Sequence, residues 1–179
     1  ILPVFKASLP SAAGMVRSDM DYAVVKASKL IEVHSITQKP KPKRNRTRRY
    51  IEFASQEEFN KWIDDSYILM GKAYFYQHNF TAAITNFSYV VRKYPDEETK
   101  YEAYVWLIRS YTELERYTEA SEIIKAVQGD DNFPKNLEAD LALVTADYYK
   151  RQGDYLEAIK FLEIANSKIF WKAGQARYQ

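Results

Sequence analysis

Between Asp64 and Pro95 the chain reads DDSYILMGKAYFYQHNFTAAITNFSYVVRKYP. With Asp64 as position 1, Met70 is position 7, Gly71 position 8, Tyr74 position 11, Phe80 position 17, Ala83 position 20, Phe87 position 24 and Pro95 position 32. Apolar residues at helical spacing stand on both sides of QHN, so the stretch predicts two antiparallel helices joined by a short turn. Gly71 and Ala83 are small, which lets the two helices approach closely. Tyr74, Phe80 and Phe87 are large enough to fill the space beside that contact. Pro95 ends the second helix, because it has no N–H to donate and its ring clashes with the preceding turn.

The unit recurs. An aromatic residue three places before alanine returns as YTEA ending at Ala120 and as YLEA ending at Ala158, 37 and then 38 residues on. Position 11 then falls on Tyr111 and Tyr149, and position 17 on Tyr117 and Tyr155. The surplus over a repeat of about 34 residues falls at Glu98–Lys100 and near Gln128–Pro134, where loops absorb insertions cheaply. In spacing and residue type the unit resembles the tetratricopeptide repeat. That resemblance implies an all-α fold, a right-handed superhelical stack of helix-turn-helix units, or α-solenoid.

Taken in order, residues 1–17 read as irregular, interrupted by Pro3, Pro10 and Gly14. A helix is predicted over 18–35, opened by Ser18 with Asp21 three residues on; it reads as the end of an upstream element. A basic linker covers 36–54. Ser55 with Glu58 forms a capping box that starts the extended first helix of unit one, ending near Gln77. Three units follow within 55–169, near 64–97, 101–134 and 139–169. Residues 170–179 look like the start of a further or capping helix. Phe170 and Trp171 are not the polar face of a cap, and the abrupt Ile1-Leu2-Pro3 opening lacks an initiator Met, so the expectation is a piece of a longer protein.

The net charge of +2 hides an uneven distribution. KPKPKRNRTRR carries Lys39, Lys41, Lys43, Arg44, Arg46, Arg48 and Arg49 and no acid. Its prolines oppose helix and sheet and its like charges repel, so it predicts an exposed, solvated linker. The alternative is binding of nucleic acid or an anionic surface. Against nucleic acid, only Tyr50 flanks the run as a stacking aromatic, and no groove-reading motif accompanies it. The chain has no cysteine, hence no disulfide framework and no thiolate metal site. No run of about 18 apolar residues occurs.

Catalytic chemistry is not legible. His34 and His78 stand on different elements with no second ligand at metal spacing. Asp64 and Asp65 are adjacent on a helix and diverge by about 100°, so they do not converge on one substrate. No phosphate loop or nucleophile elbow is present. The expectation is a non-enzymatic scaffold without cofactor or metal.

In the tetratricopeptide family, positions 2, 5, 9, 12 and 13 of each first helix line a concave groove. The resemblance therefore implies a groove of Asp65, Ile68, Lys72, Phe75 and Tyr76; Glu102, Val105, Arg109, Thr112 and Glu113; and Asp140, Leu143, Asp147, Lys150 and Arg151. Ile68, Phe75 and Tyr76 are the expected apolar-aromatic anchor for a protein or peptide, with Lys72, Glu102, Arg109 and Asp147 as its charges; the alternative for Phe75 and Tyr76 is contact with an upstream helix such as that at 18–35. The relatives that clamp a terminal carboxylate carry Lys at position 5 and Asn at position 9; Ile68 and Lys72 do not fit that pattern.

HSITQ at His34–Gln38, a basic spacer, and KWIDDSYILMGKAYFY at Lys61–Tyr76 resemble the tetratricopeptide lipoproteins of Bacteroidetes, the gliding-motility and type IX secretion group of SprE and PorW. The resemblance implies a scaffold in an envelope or secretion assembly, held at the outer membrane and facing the periplasm. With no cysteine in this chain, the implied lipid anchor lies outside it, and membrane association is expected through that anchor alone.

Overall fold

A computed structural model describes residues 19–34 and 62–175, with side chains as far as Ile169. The irregular segment, the basic run 39–49 and the Ser55 capping box lie outside these residues. The described elements are α1 (Asp19–His34), α2 (Ile63–Tyr76), α3 (Phe80–Lys93), α4 (Thr99–Glu113), α5 (Tyr117–Gln128), one 3-10 turn (Lys135–Leu137), α6 (Glu138–Arg151) and α7 (Tyr155–Gln175), with no strand among them. Each helix packs on the next, and α2 also meets α4 as α4 meets α6. This is an all-α solenoid.

The turns between α2 and α3, α4 and α5, and α6 and α7 share one backbone design. Position 15 is left-handed each time, at His78 (φ 59°), Glu115 (φ 58°) and Gly153 (φ 84°). The next N–H then reaches back five residues to the position-11 tyrosine carbonyl: Asn79 to Tyr74 at 2.9 Å, Arg116 to Tyr111 at 2.9 Å, Asp154 to Tyr149 at 3.0 Å. That contact satisfies a carbonyl the helix end would leave unpaired. Position 16 opens the second helix. Asn79 Oδ1 accepts from the Ala82 N–H and Asp154 Oδ1 from the Glu157 N–H, whereas Arg116 offers no acceptor and instead pairs with Glu119.

The alanines at position 20 show why the helices of a pair lie close. Ala83, Ala120 and Ala158 are all buried. On the first helix, a Cβ added to Gly71 would stand 2.5 Å from Phe87 Cε1, so only glycine fits there. Phe87 is itself wholly buried, in a core layer with Ile68, Ala83, Val90, Ala103 and Leu107. A second layer joins Val105, Ile108, Ala120, Ile124, Val144 and Tyr148. Each layer is thus closed by the first helix of the following unit.

α1 packs on α2. Gln77 Nε2 donates to Asp21 Oδ1 at 2.8 Å, and Ser28 Oγ to Met70 Sδ at 3.3 Å. Rising numbers on one helix meet falling numbers on the other, so the pair is antiparallel, and α1 stands where the second helix of a preceding unit would. At the other end, the sequence predicts a break after residue 169 and a new helix from 170. The structure instead continues α7 unbroken to Gln175. No proline or cap interrupts 155–173, so nothing in the sequence obliges the helix to stop.

Candidate protein-interaction surface

The first helices of the units, α2, α4 and α6, adjoin along one side of the stack. Ion pairs tie them across the unit boundaries. Lys72 of α2 pairs with Glu102 of α4, and Arg151 Nη2 of α6 donates to Glu113 Oε1 of α4 at 2.6 Å. Arg151 Nε also donates to Asp147 Oδ2, one turn earlier, at 3.1 Å. Burial disfavours the Arg151 charge, but the Asp147 and Glu113 carboxylates outweigh it and hold the guanidinium above its usual range.

Trp106 is the centre of this surface, and the sequence positions taken for the groove do not include it. Its indole is half-buried. Phe87 lies nearly parallel to it at 5.9 Å, while Phe75 and Tyr76 stand close to perpendicular to it at 5.3 and 5.9 Å. The Arg109 guanidinium lies over the ring at 4.6 Å and the Lys72 ammonium at 5.5 Å. A signal was present in the sequence: Trp106 and Arg109 are three apart on one helix, a spacing that puts them on the same face.

The expected anchor is divided by the fold. Tyr76 is 56% exposed and Phe75 half-buried, so both remain on the surface. Ile68 does not: at 3% exposure it belongs to the first core layer. Its counterpart Val105 is buried in the second layer, and Thr112 is also buried, its hydroxyl donating to the Ile108 carbonyl at 2.8 Å. For Ile68 the reason lies on the next unit. Ala103 is small, so α4 comes close to α2 and covers position 5. Lys72, Glu102, Arg109 and Asp147 are all half-buried on this side. Asp147 is neutralised by Arg151, and Lys72 with Glu102 form a closed pair.

Asp64 and Asp65 separate as their helical spacing requires. Asp64 is buried and accepts from Thr99 Oγ1 at 2.8 Å. Asp65 is exposed, and its carboxyl is pushed above the usual range by partial burial, then by the Asp64 and Glu102 carboxylates, against the pull of Lys72. Among the described residues no His, Asp and Glu side chains gather as metal ligands, and no helix is long and apolar enough to cross a membrane. The seven basic residues from Lys39 to Arg49 lie outside the described residues.

The helix pair α2–α3, with its left-handed turn and its Gly71–Phe87 contact, coincides with residues 65–97, which match the family model described as tetratricopeptide repeat. Residues 65–97 are a tetratricopeptide repeat. Tetratricopeptide repeats generally mediate protein–protein interaction and are typically non-enzymatic. No curated protein is matched by the chain.

Proposed function

We propose that this chain is a non-enzymatic scaffold that binds a protein segment in a groove lined by α2, α4 and α6. The observation that carries the reading is the Trp106 platform, where an exposed Tyr76 and the Arg109 guanidinium flank a half-buried indole. Aromatic and arginine side chains concentrate binding energy, because they bury large area or form paired hydrogen bonds. The setting we propose is a bacterial envelope or secretion-related assembly at the periplasmic side of the outer membrane. It rests on the resemblance of His34–Gln38 and Lys61–Tyr76 to the gliding-motility and type IX secretion lipoproteins.

The test is capture of partners from envelope extracts by four proteins side by side: wild type, Tyr76→Ala, Arg109→Ala and a deletion of residues 39–49. Either point change should weaken the captured complex by about 1–2 kcal/mol, up to about 30-fold in Kd, with helicity unchanged. Loss of the partner from the deletion alone would move the functional surface to the basic run, and oligonucleotide binding with a steep salt dependence would then identify nucleic acid. Fractionation of cells that express the natural protein tests the setting; recovery only from the cytosol removes the envelope from the proposal.

A further inference from the structure

Arg109 holds its charge without a carboxylate partner among the described residues, and the reason lies on the neighbouring helix. The natural helical partner of Arg109 is Glu113, four residues on. Glu113 is engaged instead by Arg151 Nη2 of α6 at 2.6 Å. Glu102, the other acid of α4 on this side, is engaged by Lys72. Arg109 is left lying on Trp106, its centre 4.6 Å from the ring centroid. A guanidinium held over an indole by cation–π attraction spends no N–H group on that contact, so its N–H groups remain available to a bidentate carboxylate.

We propose that the Arg109–Trp106 pair is a recognition site for a single side-chain carboxylate, a Glu or Asp next to an apolar residue within the bound segment. The inference rests on the groove reading above. The carboxylate meets the guanidinium edge, and the adjacent apolar side chain lies on Trp106 and Tyr76. An internal side chain is chosen over a chain terminus because of how the cations that reach α4 from its neighbours are paired. Lys72 of α2 and Arg151 of α6, which contact α4 from either side, are both occupied by acids, so neither joins Arg109 in a clamp on a terminal carboxylate. Arg151 thereby acts as a positioning residue: by holding Glu113 it keeps Arg109 open to the partner.

The probes are blocked peptides, acetylated and amidated, that carry Leu-Glu or Leu-Gln at their centre and are otherwise identical. Their binding is read from the Trp106 indole and Arg109 Nε–H signals by NMR, with Trp106→Phe assigning the indole. The expected result is a saturable shift of both signals with Leu-Glu and at least a tenfold weaker effect with Leu-Gln. Arg109→Gln should abolish the difference between the two peptides. Arg151→Gln, which leaves Arg109 in place, should release Glu113 toward it and weaken Leu-Glu binding severalfold, whereas Glu113→Gln should leave binding unchanged or tighter.

Equal shifts with the two peptides, or none with either, overturn the proposal. So does Arg151→Gln binding Leu-Glu as tightly as wild type, or a free-acid Leu-Gln peptide competing as well as amidated Leu-Glu. The two readings fail separately. If Tyr76→Ala loses the captured partner while Arg109→Gln keeps it, the groove stands and the carboxylate site falls. If neither loses it, the groove itself falls.

Discussion

Two glycines of this chain are fixed by different physics, and substitution separates them. At Gly71 the obstacle is space. An added methyl would meet the wholly buried Phe87 ring at 2.5 Å. Alanine is a better helix former than glycine by about 1 kcal/mol, which offsets only part of an overpacking cost of about 1–3 kcal/mol. Gly71→Ala should therefore lower the urea midpoint. At Gly153 nothing lies within 4 Å of the added Cβ, but φ is +84°. Gly153→Ala should cost about 1–2 kcal/mol from torsion alone, and Gly153→Asn, which tolerates the left-handed region, less. Charge gives a third test. Asp65 has a folded-state pKa raised by burial and by Asp64 and Glu102. The folded chain thus holds its proton to higher pH than the unfolded chain, and stability falls as pH rises from the ordinary carboxylate range through the raised one. Asp65→Asn should raise the urea midpoint at pH 7, and the gain should disappear below about pH 3, where Asp65 is protonated in both states.

At the scale of the element, a helix here is held mainly by what its small residues permit. Ala120 is wholly buried in the second core layer. Ala120→Leu should overpack it and cost about 1–3 kcal/mol in urea melts; an unchanged midpoint would place position 20 on the surface and break the register. α1 buries less of itself among the described residues. Ala27 is its one buried residue, and the hydrogen bonds of Asp21 with Gln77 and of Ser28 with Met70 are solvent-exposed. Ala27→Glu would bury a charge with no partner provided for it. Hydrogen exchange should show α1 losing protection while α4 keeps it; equal loss in the two helices would mean that α1 is integral to the stack.

Across the whole molecule, a stack in which each unit contacts its neighbours has its stability distributed unevenly. Among the described residues, the interior helices bury residues toward both sides and α1 and α7 toward one. Exchange protection should be highest in α3 and α4 and should decline toward α1 and the outer part of α7. The same asymmetry explains an apolar face on α7. Position 24 is Phe87 and Ile124 in the first two units, both buried under the next unit, and Leu162 in the third, where it is 48% exposed.

The chain by itself determined the repeat. The 37- and 38-residue recurrence of aromatic and alanine, the prolines and the polar turns specify helix pairs, because each pair is made from contacts close in sequence. The left-handed turn at His78 and Glu115 was not legible, since neither residue advertises that conformation as glycine does at 153. Only the tertiary structure decided which groove positions face solvent. Ile68 occupies a nominal groove position yet lies in the core, because Ala103 brings α4 close enough to cover it. Trp106 occupies a position outside that set yet organises the surface, because Phe75 and Tyr76 of the preceding unit pack against it at near-right angles. Contact between units depends on how closely whole helices approach, and that distance is set by residues far apart in the sequence.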